Sequence, residues 1–205
     1  MSTGALISAI QPGSKAEAAG LAVGDAILRI NGEKLADLID LSFALSEERV
    51  ELEVQKHSGD VVRLRIRKKL DEALGFEFES AVFDRVRTCA NKCIFCFVDQ
   101  MPAGLRDTLY VKDDDYRLSF LYGNFVTLTN LTEADFQRIR RLHLSPLYVS
   151  VHTTDGPLRE HLLGIPRAAK IMEQLQRFAD AGIEMHTQVV LCPDHNDGEY
   201  LTRTI

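Results

Sequence analysis

The stretch Val82-Phe-Asp-Arg-Val-Arg-Thr-Cys89-Ala-Asn-Lys-Cys93-Ile-Phe-Cys96 decides the reading of this chain. Val82 to Arg87 reads as a strand that runs directly into a loop with three cysteines in eight positions. Three residues separate the first pair of cysteines and two separate the second. Thiolates from one tight loop at these intervals can reach three corners of an iron-sulfur cube and leave the fourth open, because soft sulfur ligands suit that chemistry. Zinc is the alternative. It needs a fourth protein ligand such as His143, His152 or Cys192, and zinc sites usually show two separated ligand pairs. Four cysteines in 205 residues are too few for a disulfide scaffold, so the clustering points to a metal or cluster site in a reducing compartment. Cys192 reads as a free thiol at a strand end.

Downstream the rhythm is strand, helix, strand. Candidate strands are Phe125 to Thr129, Leu147 to Val151 and Glu184 to Leu191. Asp114 or Asp115 can cap a helix through Leu121 that ends at Gly123-Asn124, and Thr132 with Asp135 starts another whose buried stripe is Phe136, Ile139 and Leu142. Ile171, Leu175 and Phe178 mark a further helix closed near Gly182. Repeated units of this length imply a parallel sheet or part of a barrel, whose sites lie in the loops after the strands, where these cysteines fall.

Several polar residues are candidates. His152 follows the third strand, where an imidazole can touch a ligand or move a proton, or simply bond backbone. Asp113, Asp114 and Asp115 read either as ligands for a cation or substrate amine, with Arg106 and Arg117 as partners, or as a solvated helix cap. Asp194-His-Asn-Asp-Gly198 is a turn by composition.

Upstream, residues 1 to about 70 are short strands and turns around small helices. Ser14 and Glu17 form a capping box, Asn31-Gly32 is a hairpin turn, and Leu38, Leu41 and Leu45 recur at helical spacing. Val50, Leu52 and Val54 alternate with Glu51 and Glu53. After Ser58-Gly59, Val62, Leu64 and Ile66 alternate with Arg63, Arg65 and Arg67, which gives a hairpin with one wet face. The facing Glu and Arg sets read as cross-strand pairs on a solvated sheet face, with a functional charged surface as the alternative.

The composition, 45% hydrophobic and 26% charged, supports one large or two small domains with real cores. Residues 1 to 70 hold 10 basic and 10 acidic side chains, so the net charge of −6 falls wholly on residues 71 to 205. That balance argues against general binding to nucleic-acid phosphates or an anionic membrane. There is no apolar run of about 20 residues and no signal-peptide pattern at the start, which reads as a cytoplasmic protein.

Two resemblances follow from these residues. Gly4-Ala-Leu-Ile, Pro12-Gly-Ser, Ala18-Ala-Gly-Leu-Ala-Val-Gly-Asp25 and Ile30-Asn-Gly32 resemble a bacterial PDZ-type domain over roughly residues 3 to 78. Its order is permuted, because Leu74-Gly-Phe-Glu-Phe78, similar to the carboxylate loop and its strand, comes last. The resemblance implies a peptide or protein partner bound by strand addition, or a packing role. The cysteine spacing, with Phe95 before the last cysteine, resembles the radical S-adenosylmethionine (SAM) superfamily. The strings Cys96-Phe-Val-Asp-Gln-Met-Pro-Ala-Gly-Leu-Arg106, Lys112-Asp-Asp-Asp-Tyr-Arg-Leu-Ser-Phe-Leu121, Gly123-Asn-Phe-Val-Thr-Leu-Thr-Asn130 and Ser150-Val-His-Thr-Thr154 are similar to its PDZ-containing branch, catalogued as a domain of unknown function.

That resemblance implies an α/β chain with a permuted PDZ-like domain at 1–78 and an incomplete radical SAM barrel at 79–205. It implies a [4Fe-4S] cluster on Cys89, Cys93 and Cys96, with SAM chelating the free iron, and a reduced cluster that cleaves SAM to a 5′-deoxyadenosyl radical. An electron donor such as a flavodoxin or ferredoxin follows. In place of the usual Gly-Gly-Glu segment stands Thr127-Leu-Thr129-Asn130, so Thr127, Thr129 and Asn130 are the candidates to hold SAM, with helix capping as the alternative for Asn130. Four strands against the superfamily's usual six lead to the expectation of a partial barrel whose activity is in doubt. The alternative function is a peptide-docking module with a structural metal or cluster and no catalysis.

Overall fold

The computed structural model describes residues 4–205, and residues 1–3 of the expected first domain lie outside the described residues. Contacts divide the chain into two units, Met1–Arg85 and Val86–Ile205. Together they make a mixed α/β chain, with PDZ-like strands first and a helix-rich region second.

The first unit is built on an antiparallel sheet. Its strands are β1 (Ala5–Ile10), β2 (Ala26–Ile30), β3 (Glu33–Lys34), β4 (Arg49–Gln55), β5 (Val61–Arg67) and β6 (Phe76–Phe78), with helices α1 (Lys15–Ala18) and α2 (Leu38–Ala44) between them. The order is β5-β4-β2-β1-β6, with β3 on β2. The alternation in β4 buries Val50, Leu52 and Val54 against Ile7, Ile27 and Ile30, while Glu51 faces Arg65 and Glu53 faces Arg63 in register. Each fully buried aliphatic side chain contributes roughly 1.5–3 kcal/mol. Ser14 caps α1 by accepting from the Glu17 N–H at 3.2 Å, and Glu17 Oε2 accepts from the Gly13 N–H at 2.6 Å.

The late segment Leu74–Phe78 closes this sheet. Phe76 pairs with Ile10 and Phe78 with Ile7, so the permuted order delivers the last strand to the edge beside the first. Gly75 has φ +85, and a Cβ there would lie 2.4 Å from the Ser14 Cβ, so only glycine lets this loop pass α1. Asp25 is buried at the turn before β2. It accepts from Lys56 Nζ, from the Ala22 N–H at 2.8 Å and from the His57 N–H at 3.1 Å. Burial pushes its carboxyl up, but these bonds and the Lys56 charge outweigh burial and hold it below the usual range.

The expected strand Val82–Arg87 is not one strand. Leu38 donates to the Ala81 carbonyl and Phe83 to the Ala36 carbonyl within the first unit. In the second unit, Asp114 donates to the Arg87 carbonyl and Cys89 to the Lys112 carbonyl, forming an antiparallel bridge. The segment is shared between two neighbourhoods, and neither continues a ladder.

The second unit contains α3 (Tyr116–Tyr122), α4 (Glu133–Leu142), β7 (Leu147–Ser150), α5 (Gly156–Leu163), α6 (Ile171–Asp180), β8 (Met185–Gln188) and α7 (Gly198–Thr204). β7 and β8 pair in parallel from Leu147 with Met185 to Ser150 with Gln188. The expected strand Phe125–Thr129 shortens to one parallel bridge, Val126 to Val149. The ladder stops there because Asp114 takes the Thr127 N–H and Leu128 turns to φ +64. Asp115 caps α3, Gly123 ends it, and Thr132 with Asp135 forms the expected capping box on α4. α5 is new. Asp155 caps it, and Gly164 ends it in the left-handed conformation.

Candidate metal centre

The cysteine loop is fixed from several sides before any ligand is considered. Cys89 N–H donates to the Lys112 carbonyl at 2.8 Å. Lys92 and Ile94 donate to the Leu163 and Leu162 carbonyls at 2.9 and 3.1 Å, so the C-terminal end of α5 receives the middle of the loop. Gly164 permits that approach, since a Cβ there would lie 2.8 Å from the Lys92 carbonyl oxygen. Cys93 and Phe95 pack with Leu162, Leu163, Ala168 and Cys192.

All three thiols are free and half-buried. Burial, together with Cys89 and Cys96, pushes the Cys93 thiol up to about 11, and burial raises Cys89 as well. Lys112 counters this. Its ammonium donates to the Asn91 carbonyl at 2.9 Å and to Asp99 at 2.6 Å, and the Asp99 N–H points to Cys96 Sγ at 3.5 Å. Among the described residues no three His, Cys, Asp or Glu side chains gather around a point that one ion would fill. Ligands to separate corners of a cube need not gather so closely. The donor set therefore suits a cluster: three unbridged thiols on one braced loop, partly dry, with a cation alongside.

Across from the loop lies a buried polar network. Asn91, between the first two cysteines, donates to Thr127 Oγ1 and accepts from Thr129 Oγ1, both at 2.8 Å. Asp114 accepts from the Thr127 N–H and hydroxyl at 2.6 Å each, and Asn130 donates to the Asp114 carbonyl at 2.8 Å. The structure thus brings Thr127, Thr129 and Asn130 together with the cysteine loop through Asn91 and Asp114. Burial raises the Asp114 carboxyl, against the bonds from Thr127. Of the acidic trio, Asp114 and Asp115 are buried, not a solvated cap. Asp115 pairs with Arg117 at 2.7 Å, Asp113 accepts from Asn124 at 3.2 Å, and Arg106 is exposed.

Arg159 is the largest side chain with no exposure at all. It donates to the Val151, Ala168, Thr127 and Ser150 carbonyls at 2.8–2.9 Å, joining β7, the turn after α5 and the network segment. Burial lowers it to about 10. His152 follows β7 with φ +65, a conformation in which histidine is enriched among non-glycine residues. Its ring meets Phe95 at 4.8 Å between centroids, and its Nδ1 accepts from the Val190 N–H at 3.2 Å. Burial, then Arg159, lowers His152 to about 4, so the ring is neutral at pH 7 with its proton on Nε2. Asn196 locks the loop beyond by donating to the His152 and Val190 carbonyls. His143 is the exposed left-handed cap of α4.

Sequence reasoning missed Asn91, Arg159 and Asn196 as builders of this region. Asp155, Pro157 and Gly164 were available start and stop signals for α5. Its buried face carries Arg159 beside Leu162 and Leu163, which breaks the apolar stripe.

Two family models agree with this layout. A family model described as a radical SAM-like domain matches residues 68–205, and a PDZ domain model matches residues 6–56. The crystal structure of the PDZ domain of an SdrC-like protein from Listeria innocua is similar at 17% identity, with a TM-score of 0.33, over 39% of this chain and 98% of that one. No curated protein matches. Among the described residues no helix is long and apolar enough to cross a membrane.

Proposed function

We propose, on the premise that this chain belongs to the radical SAM-like domain family, that Cys89, Cys93 and Cys96 hold a [4Fe-4S] cluster whose open corner takes SAM. The observation that carries this reading is the braced loop of three free thiols, tied to α5 and to Lys112. When bound, the cluster would supply the electron for reductive cleavage of SAM, received from a donor such as a flavodoxin or ferredoxin. The chain's own residues prepare for this. Cys93 and Phe95 pack against α5 and keep water from one side of the loop. The Lys112 charge favours thiolates over thiols, and three protons leave as the metal is bound.

In this reading Thr127, Thr129 and Asn130 form the wall for the SAM amino group, with the Asp114 carboxylate behind them as the compensating charge. His152 is the candidate catalytic residue, acting as a neutral donor through Nε2. The expected limits of 1–78 and 79–205 differ from the division by contacts after Arg85, because Ala81 and Phe83 bond residues 36–38 of the first unit. The N-terminal unit offers β6, an edge strand preceded by Leu74-Gly75, for strand addition by a peptide or protein partner.

The test is anaerobic reconstitution with iron and sulfide, followed by reduction with SAM and mass spectrometry for 5′-deoxyadenosine. Turnover that disappears in each single cysteine-to-alanine variant is the expected result. Peptide binding by residues 4–85 with no 5′-deoxyadenosine would favour the docking module with a structural centre.

A further inference from the structure

On the wet face of the β4–β5 hairpin the uncharged Gln55–Val61 row is followed by two charge-matched rows. Glu53 and Arg63 meet at 3.4 Å, and Glu51 and Arg65 at 2.8 Å. The next row sets Arg49 directly opposite Arg67. Directly opposed side chains of a strand pair have Cβ atoms about 4.5–5.5 Å apart, and like charges there destabilise a sheet. Neither guanidinium makes an ion pair or side-chain hydrogen bond among the described residues. Natural chains break such local rules at functional or strained positions.

The two arginines line a cleft of about 460 Å³ together with Arg65, Glu51, Asn31 and the Val50 and Ile66 positions. Three guanidiniums against one carboxylate leave two positive charges, on a chain of net charge −6. Arg65 is held by Glu51. Asn31 is a fixed wall: its Oδ1 accepts from the Glu51 N–H at 2.8 Å, and its Nδ2 donates to the Ala44 carbonyl and Glu47, each at 3.4 Å. Arg49 and Arg67 are therefore the two unengaged forks. A guanidinium presents planar paired donors that match an oxyanion, and two facing forks can close on one tetrahedral dianion.

We propose that Arg49 and Arg67 form an oxyanion site that binds the phosphate group of a small anionic ligand, with Arg65 at its rim. The site is independent of the cysteine loop. It explains why the mismatched row is kept, because a bound dianion neutralises the repulsion that the empty row carries.

The test titrates the intact chain with inorganic phosphate and with pyrophosphate at constant ionic strength, with sodium chloride as the control, and reads backbone amide shifts by NMR. Saturable shifts at residues 49–51 and 65–67 are expected, with pyrophosphate bound at least as tightly as phosphate. Arg49→Glu converts the row to a matched pair, so its thermal midpoint should rise while binding weakens at least tenfold. Arg67→Gln should also weaken binding at least tenfold, and Arg63→Ala, outside the cleft, should leave binding unchanged. Equal shifts with chloride, or wild-type phosphate binding in Arg49→Glu and Arg67→Gln, would overturn the proposal.

Discussion

The two units solve the problem of burial in opposite ways. Among the described residues the first unit buries three polar or charged side chains, Asp25, Asp37 and Lys68, while the second buries twelve. The first follows strand alternation and hides aliphatic groups; the second spends its interior on Asn91, Asp114, Thr129, His152, Arg159 and their neighbours. Buried polar groups cost free energy unless each finds a partner. In the second unit Asn91, Asp114 and Thr129 join in one network that reaches the cysteine loop, as the proposed site would need, while the first unit's interior answers mainly to stability.

The sharpest way to break this contrast is Arg159→Met. Four carbonyls lose the guanidinium donor, Val151 alone keeping the Thr153 N–H, and the second unit should be destabilised by about 1–3 kcal/mol for each carbonyl left unpaired. Hydrogen exchange read by mass spectrometry should show faster exchange in peptides from 86–205. Retention of wild-type protection there would mean that the buried guanidinium is not structural. The counterpart is Leu52→Ala, which leaves a cavity in the apolar core and should cost about 2–5 kcal/mol, read in peptides from 4–85 with iron loading of the cysteine loop unchanged.

A smaller effect separates the few polar groups of the first unit from its core. Asp25→Asn should cost about 1.5–3 kcal/mol at pH 7, since hydrogen bonds to a charged group are lost. The Asp25 carboxyl titrates lower folded than unfolded. Its contribution is thus fully present above the unfolded value of about 3.9 and is lost as pH falls through the lower folded value. Chemical denaturation at a series of pH values should show a shallower acid limb in Asp25→Asn. Smallest of all, Arg65→Ala removes an exposed pair and should change stability by less than about 1 kcal/mol, measured in the same way.

The contrast also explains what was legible in the sequence. Alternation in β4 and β5, the Ser14 cap, the Thr132 box and the glycine ends were readable because local chemistry alone sets them; Glu17 turns to the Gly13 N–H, so the box expected with Ser14 is half formed. Val82–Arg87 was misread as one strand because its pairing is decided by residues 36–38 on one side and 112–114 on the other. Phe125–Thr129 lost its ladder to the Asp114 side chain, and no periodicity reports a bond of that kind. α5 had its end signals, but its periodicity was hidden for a related reason: a buried arginine sits where the stripe should be apolar. The cysteine spacing was plain, but the bracing of its loop by Lys112 and the α5 carbonyls, and its tie to Thr127 and Thr129 through Asn91, come from contacts between distant segments.

The central claim is that three thiolates of this chain leave one cluster corner for SAM. Electron-nuclear double resonance on the reduced, reconstituted chain with SAM carrying a 15N amino group tests it most directly. The account predicts a 15N coupling to the cluster that vanishes with unlabelled SAM. A cluster with no coupling, and with its fourth iron held by a side chain of this same chain, would contradict it.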